Sequence, residues 1–333
     1  MRHPKKVILI MKTITILVPE KAVLASITDP QYMFTAVNDI LKSLNKKPEF
    51  KIILAGLTKK INLQNGLYTV NVNKLIHEIK KTDLLIIPAI SGDFSEAIDI
   101  NKKCLSHIIR LYNSGSEIAS LCVGSFLLAS TGLLNGLKSS THWLYSDLFR
   151  QFFPDVLLED DKVITFEKRI YTSGGANSYW NLLLYIVEKY TNREVAIKAS
   201  KFFELDINRN SQSPFTIFRG QKEHLDFTVI EIQEFIEKNY NSKITVTELA
   251  KKFNLGRRTL ERRFKKATNN SLIQYIQRVK IEAAKNKIEL ENKTISEIMF
   301  EVGYSDSKSY RDIFKKITKL TPLEYKNKYR KSA

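Results

Sequence analysis

Apolar residues are spaced in two different ways along this chain, and the change falls a little beyond residue 200. Before it, Thr15-Ile16-Leu17-Val18, Lys51-Ile52-Ile53-Leu54-Ala55 and Leu84-Leu85-Ile86-Ile87-Pro88 are short runs without alternation, the pattern of strands buried on both faces. Residues 30–44, 73–81 and 96–114 lie between and after them and read as crossover helices. A fourth strand, Glu117-Ile118-Ala119-Ser120-Leu121, runs towards a short helix at 126–129. A fifth, at 169–172, leads through Gly174-Gly175-Ala176-Asn177-Ser178 into a helix bearing Trp180, Leu183 and Ile186. Strands and helices in alternation predict an α/β sandwich around a largely parallel sheet.

From Thr228 onward the period is helical. Val229, Ile232, Phe235 and Ile236 form a stripe that stops at Asn239-Tyr240-Asn241-Ser242. Thr245, with Glu248 three residues on, makes a capping box for a helix whose inner face is Leu249, Ala250 and Phe253. Asn254-Leu255-Gly256 breaks that helix, and Gly256 is expected to supply the open backbone of a sharp turn. Residues 257–267 follow as a basic helix with Leu260 and Phe264 inward. A long helix at 272–289, carrying Ile273, Ile276, Val279, Ile281 and Ala284, leads to a short helix at 294–301 with Ile295, Ile298 and Val302 inward. A turn at Gly303 and a second basic helix at 306–318, with Tyr310 and Phe314 inward, complete an all-α region.

The second set repeats the first. Phe264-Lys265-Lys266-Ala267-Thr268 returns as Phe314-Lys315-Lys316-Ile317-Thr318, 50 positions later, and Gln274-Tyr275 returns as Glu324-Tyr325 at the same offset. Glu248-Leu249-Ala250 matches Glu297-Ile298-Met299 with one residue of slip. One supersecondary unit is therefore used twice. Helix, tight turn and basic helix is the helix-turn-helix arrangement. Arg257, Arg258, Glu261, Arg262 and Lys265 fall on the outward arc of its second helix, and guanidinium groups suit bidentate contact with guanine edges or phosphates. A lone basic helix reads more readily as a solvated face; repetition turns the reading towards DNA. Two heads held by a rigid rod could meet two major-groove faces about 34 Å apart.

Composition narrows this picture. The 333 residues, 43% hydrophobic and 26% charged, suit two globular domains. Lys and Arg number 53 against 35 acidic residues, a net charge of +18, of which +10 lies from Lys222 onward. That balance favours a polyanion or an anionic membrane, although the N-terminal part is basic too. No apolar run approaches the ~20 residues of a membrane span. Val7-Ile8-Leu9-Ile10-Met11 is too short for the core of a secretory signal, and Met11 is an alternative start to Met1. Two cysteines, Cys104 and Cys122, fit a reducing cytoplasm. The polar, aperiodic stretch 206–227 is the expected linker between domains at 1–205 and 228–333. Phe215, Ile217 and Phe218 interrupt it and are expected to dock on one domain and carry a signal.

Candidate chemistry gathers at Cys122-Val123-Gly124-Ser125, a thiol on a strand-to-helix turn with small residues after it, as in a nucleophile elbow. A helix N-terminus there would lower the thiol pKa and offer amides to an oxyanion. His142 follows in Ser140-Thr141-His142-Trp143. The pair leaves four readings: a live dyad, a redox-sensitive thiol, a pocket lining, and a structural cysteine at a sharp turn. A pocket there would draw on Trp143, Tyr145 and the Gly174-Gly175 turn, whose small residues would let backbone approach a ligand and whose helix start would meet an anionic group. Cys104, with Leu105 and Ile108, reads as core, and His77 and His107 have no assigned role. No metal ligand set and no cofactor are expected.

Residues 228–329 resemble the DNA-binding domain of AraC/XylS-type transcription regulators. The resemblance rests on Arg258-Thr259-Leu260-Glu261-Arg262-Arg263-Phe264, then Ile298, Val302-Gly303-Tyr304, Phe314-Lys315-Lys316 and Thr321-Pro322-Leu323-Glu324-Tyr325. Lys319 stands where that family usually has Gly, Leu272 where Pro is common, and Met299 where a small residue is usual. The resemblance implies Arg258, Glu261 and Arg262 as base readers. Ser307, Lys308, Arg311 and Asp312 hold the corresponding places in a second head that contributes more phosphate contact.

Leu121-Cys122-Val123-Gly124 with Thr141-His142-Trp143 resembles the PfpI-like branch of the class I glutamine amidotransferase fold over about residues 13–203, in the form fused to AraC-type heads, the GlxA-type regulators. Catalytic relatives carry an acidic side chain four positions before the Pro of the first helix. Counting back from Pro30 gives Ser26, and Glu20 and Asp29 are out of register. Cys122 and His142 are thus expected as vestiges of a catalytic pair, lining an effector pocket with Trp143, Gly174 and Gly175. Together the resemblances imply a bacterial, cytoplasmic, non-enzymatic transcription regulator. It would be homodimeric, off the membrane, and bound to double-stranded DNA and to a small amino-acid-like or nitrogenous effector, with RNA polymerase as a further partner. A Cys-dependent hydrolase or amidotransferase, or thiol redox sensing at Cys122, is the alternative.

Overall fold

The computed structural model describes residues 11–330, apart from 208–210, 219 and 223. The stretch before Met11 and Asn208-Arg209-Asn210 of the expected linker lie outside the described residues. The chain divides after Gln212 into two compact units.

In the first unit, β1 (Lys12–Leu17), α1 (Ala25–Ser43), β2 (Phe50–Gly56), a small hairpin of β3 (Lys60–Leu63) and β4 (Tyr68–Asn71), and β5 (Lys74–Leu75) precede β6 (Leu84–Ile87). Then come α2 (Phe94–Ile100), α3 (Lys102–Asn113), β7 (Glu117–Ser120), α4 (Gly124–Ala129), β8 (Lys138–Ser139), α5 (Ser146–Phe152) and β9 (Leu157–Leu158). The unit closes with β10 (Ile164–Glu167), β11 (Ile170–Ser173), α6 (Ser178–Tyr190) and α7 (Arg193–Phe202). Seven strands form one sheet in the order β10-β11-β7-β6-β1-β2-β5, parallel except for β10. Ile14, Ile16 and all of β6 are buried, which is why these runs lack alternation.

The crossover from β1 to β2 steps one way along the sheet and that from β6 to β7 steps the other. Right-handed connections therefore place α1 on one face and α2 with α3 on the other. Strand order reverses between β1 and β6, and the crevice at the carboxyl ends of such strands is where α/β folds hold their ligands. Pro19, Ala89, Cys122 and Gly174 all follow the carboxyl ends of sheet strands.

Three expectations need correction. Residues 73–81 are not a crossover helix. Asn73 exchanges hydrogen bonds with the Leu54 backbone through its own N–H and its side-chain oxygen, which holds the segment as edge strand β5, followed by one 3-10 turn at Ile76–Glu78. Residues 96–114 break at the buried Asn101, whose side chain accepts from the Glu20 N–H at 2.9 Å and donates to the Glu20 and Ala97 carbonyls. The first helix begins at Ala25, so Pro30 lies inside it.

The second unit consists of α8 (Phe227–Lys238), α9 (Val246–Lys252), α10 (Arg257–Thr268), α11 (Leu272–Leu290), α12 (Ile295–Glu301), α13 (Ser307–Thr318) and α14 (Pro322–Tyr329). It has two cores. Val229, Ile232, Leu249, Leu260 and Phe264 meet the first half of α11 at Leu272 and Tyr275. Ile298, Val302, Tyr310, Phe314 and Tyr325 meet its second half at Ile281, Ala284 and Ile288. Ile273, on the same helix, is exposed.

The repeat is visible bond by bond. Thr245 with Glu248 and Thr294 with Glu297 cap α9 and α12, while Ser271 with Gln274 and Thr321 with Glu324 cap α11 and α14. The Thr268 hydroxyl donates to the Phe264 carbonyl and the Thr318 hydroxyl to that of Phe314, both at 2.8 Å. Asn269 and Lys319 then end the two basic helices in the left-handed region, at φ 57° and 62°. The helix-turn-helix turns correct one assignment. Gly256 has an ordinary φ of −66°, and the left-handed residues are Asn254 at 52° in the first head and Gly303 at 75° in the second.

Asn tolerates the left-handed region, whereas Lys has no side-chain device to offset it. Lys319→Gly is expected to stabilise the second unit by about 0.5–1 kcal/mol, the strain relieved less the entropy that glycine adds to the unfolded chain. Thermal or urea unfolding of the full chain would read this, and an unchanged or lower midpoint would refute it.

Candidate functional site

Cys122 sits at φ 52°, a left-handed conformation that costs a non-glycine residue about 1 kcal/mol or more. The neighbouring backbone enforces the turn. A Cβ on Gly124 would collide with the carbonyl oxygens of Ile87 and Pro88, so the chain after β7 bends against the end of β6. The Cys122 N–H donates to Ser173 Oγ at 3.1 Å, and the Ser125 hydroxyl donates to Thr141 Oγ1 at 2.8 Å, which ties the cysteine turn to the turns carrying Gly174 and His142.

The thiol does not become acidic there. Burial pushes Cys122 up to about 12, and the Val123 amide only partly offsets this. Desolvation can move a buried group by several pK units, while the N-terminus of the six-residue α4 carries a weak field. Ser26, in the place of an acid, is 1% exposed; its hydroxyl donates to the Val23 carbonyl and accepts from the Ala89 N–H. Asp29, out of register in the sequence, reaches the site by another route. It accepts from the Tyr179 hydroxyl at 2.6 Å, and that phenol is pushed well up by burial and by Asp29.

His142 caps the 3-10 turn Trp143–Tyr145, accepting the Leu144 N–H on Nδ1 at 3.1 Å. Its proton is thereby assigned to Nε2. Burial lowers its pKa, so the ring is neutral near pH 7. The Trp143 ring centre lies 5.5 Å from that of His142 and the Tyr145 centre 5.8 Å away. A Cβ on Gly175 would stand 3.5 Å from His142 Nε2. The fold thus draws Cys122, His142, Trp143, Gly174 and Gly175 into one neighbourhood.

The glycine turn already has an occupant that sequence reading missed. Gln212, 1% exposed, lays its carboxamide on Gly174 so closely that a Cβ there would lie 2.7 Å from it. Its Oε1 accepts the Gly175 N–H at 2.9 Å, and its Nε2 donates to the carbonyls of Thr141 at 2.9 Å, Asp160 at 2.8 Å and Lys162 at 3.2 Å. The small residues therefore make room for the protein's own side chain. No local signal marks Gln212, which stands in the polar stretch read as a linker.

Gln212 is also the last residue of the first unit, and the next residues are bound into the second. The Pro214 carbonyl accepts from the Tyr329 hydroxyl, the Thr216 carbonyl from Lys285, and the Phe218 N–H donates to Glu282 Oε2 at 3.0 Å. Phe218 packs on the first helical core, with its ring 5.1 Å from Tyr275, whereas Phe215 and Ile217 stay exposed.

On α10, Leu260 and Phe264 face the core while Arg257, Arg258, Arg262 and Lys265 are exposed. Arg263 is withdrawn by a bidentate pair with Asp226, at 3.0 and 2.6 Å. Arg257 holds Glu261 at 3.3 Å, which leaves Arg258 and Arg262 without an ion pair among the described residues. On α13, Ser307, Lys308, Arg311 and Asp312 are exposed, and Arg311 Nε donates to the Ser307 carbonyl at 3.2 Å. Among the described residues no cluster of His, Cys, Asp or Glu is placed to hold a metal, and no helix is long and apolar enough to cross a membrane.

Comparison with known proteins gives two matches along the chain. The profile of the DJ-1/PfpI family matches residues 21–189, just over half of the chain, and that of a helix-turn-helix domain matches residues 249–328. The chain is 27% identical over 207 residues to the HTH-type transcriptional regulator GbdR of Pseudomonas aeruginosa, covering 60% of this chain and 56% of that protein. It is 26% identical over 224 residues to the HTH-type transcriptional regulator ArgR of the same species, covering 66% and 67%. The HTH-type transcriptional regulator GlxA of Rhizobium meliloti is 20% identical over 217 residues, covering 64% and 66%. The match thus spans little more than half the length of GbdR. A crystal structure from Vibrio parahaemolyticus, described as a candidate transcriptional regulator, agrees in fold with a TM-score of 0.52 at 23% identity, covering 58% of this chain and 99% of that one.

Two outcomes follow from this geometry. Cys122 is expected to react with iodoacetamide at pH 8 at least about a hundredfold more slowly than free cysteine, because a thiol near 12 is almost wholly protonated there. Rapid modification, located by peptide mass, would contradict that. Gln212→Ala is expected to lower stability by about 1–3 kcal/mol, since it strands the buried Gly175 amide and the buried Thr141 carbonyl. It is also expected to speed proteolysis between the two units; unchanged melting and unchanged cleavage would show that the carboxamide holds nothing.

Proposed function

The chain belongs to the DJ-1/PfpI family and carries a helix-turn-helix domain beyond it, and from that premise we propose that it is a one-component transcription regulator. The first unit binds a small effector and dimerises, and the second binds double-stranded DNA through two heads. The observation that carries this reading is the pair of recognition helices related by the repeat. Each is buried through a matching aromatic, Phe264 or Phe314, and presents cations outward. Arg258 and Arg262 read bases from the first head. Lys308 and Arg311, beside the short Ser307 and Asp312, mainly hold phosphates from the second.

The sensing end is read as a binding pocket around Cys122, His142, Trp143, Gly174 and Gly175. A buried, protonated thiol and Ser26 in the place of an acid count against hydrolysis and redox sensing. An amino-acid-like or nitrogenous effector suits the carbonyls of Thr141, Asp160 and Lys162, which now hold the nitrogen of Gln212. An effector taking the Gly175 amide would displace that carboxamide and so act on the strap from Ser213 to Phe218. The effector biases DNA binding only through different affinities for the latched and released arrangements.

The test is selection of bound duplexes from a random pool by the full chain, at several salt concentrations. A two-part motif with a steep salt slope is expected. Arg262→Ala should then cost about 1–3 kcal/mol on the selected site and relax preference at one position. A uniform loss on all duplexes, or no selected motif, would refute the assignment.

A further inference from the structure

Lys280 lies midway along α11, where the two helical cores meet, and is only 6% exposed. Its ammonium group donates to the carbonyl of Ser242, in the loop between α8 and α9, at 3.1 Å. It donates also to the carbonyl of Gly303, in the turn between α12 and α13, at 3.0 Å. The ring centre of Tyr304 lies 5.3 Å away. No carboxylate pairs with Lys280 among the described residues. The two heads also touch directly there, since a Cβ on Gly303 would stand 2.6 Å from the Asn241 carbonyl oxygen.

A charge buried without a counter-ion is a poor way to gain stability, and a leucine or methionine would fill the same space. What the amine supplies is direction: two hydrogen bonds from one atom, each to a different head. We propose that Lys280 is the positioning residue that fixes the separation and pitch of the two recognition helices, so that the heads engage DNA as one rigid reader. The shared helix alone does not fix how the loop at Ser242 and the turn at Gly303, which aim the two basic helices, sit around it. The clamp between Ser242 and Gly303 removes that freedom before DNA is met, and the entropy of aligning the second head is not lost on binding.

This rests on the DNA-binding reading above, and the experiment separates the two. Full-chain protein and its Lys280→Met, Lys280→Gln and Lys280→Arg variants are titrated with the selected two-part duplex, with a duplex in which one part is scrambled, and with one carrying an extra base pair between the parts. If selection yields no two-part motif, the DNA-binding reading fails first. If it does, Lys280→Met is expected to lose at least tenfold on the two-part duplex and less than twofold on the scrambled one, and to be less sensitive than the parent to the inserted base pair. Lys280→Arg, which keeps the donors, is expected to restore most of the affinity. Equal losses on both duplexes, or no loss, would overturn the proposal. Melting of each variant is followed in parallel; if both Lys280→Met and Lys280→Gln are unfolded at the assay temperature, the residue is a folding determinant and the positioning role is overturned.

Discussion

One buried carboxamide organises the end of the first unit. Gln212 binds the turn after β11 through the Gly175 amide, the residue before His142 through the Thr141 carbonyl, and the segment ahead of β10 through Asp160 and Lys162. Left unpaired, the buried Gly175 amide and Thr141 carbonyl would be costly, so the chain's exit from the first unit and the turn carrying Gly174 and Gly175 are held by the same bonds. Cys122 belongs to the same web through Ser173, and Ser125 through Thr141. The Cys122 and His142 side chains are thus embedded in a neutral network: a protonated thiol, a neutral imidazole and the hydroxyls of Ser26, Ser125, Thr141 and Ser173.

The second unit answers a different constraint. Two small three-helix cores cannot each bury enough surface alone, and α11 serves both, giving Tyr275 to one and Ile281, Ala284 and Ile288 to the other. Sharing a helix makes the heads neighbours, and the contact between Asn241 and Gly303 makes them touch. The identical Thr268 and Thr318 devices end both basic helices, while Arg263 is tied to Asp226 on the first head only. Symmetry of fold and asymmetry of surface coexist because the core positions repeat and the outward ones do not.

Much of this was legible in the chain. Buried strands announce themselves by unbroken apolar runs, and the Thr245 capping box and the 50-residue echo announce the helical unit. What stayed hidden depends on contacts between residues far apart in sequence. Asn73 and Asn101 redirect the segments around them through bonds to Leu54 and Glu20, which no helical period records. The left-handed residue of the first turn was Asn254 rather than Gly256, because the glycine serves as the N-cap of α10 with ordinary dihedrals. Gln212 and Lys280 were invisible for a simpler reason. Each is an unremarkable polar residue whose meaning comes from carbonyl oxygens supplied by other segments. The burial of Cys122 outweighed the helix N-terminus that follows it, a balance of magnitudes that a motif cannot carry.

The seat of Gln212 has a consequence for sensitivity. Under the proposed reading, the occupant of the pocket's amide-binding end is tethered, and a tethered group competes at an effective concentration set by its tether. An effector would displace it only above a threshold. That threshold is written partly in the backbone bond that seats Gln212, its N–H on the Asp161 carbonyl at 2.9 Å, so the response would be retuned by changes at groups the effector never contacts.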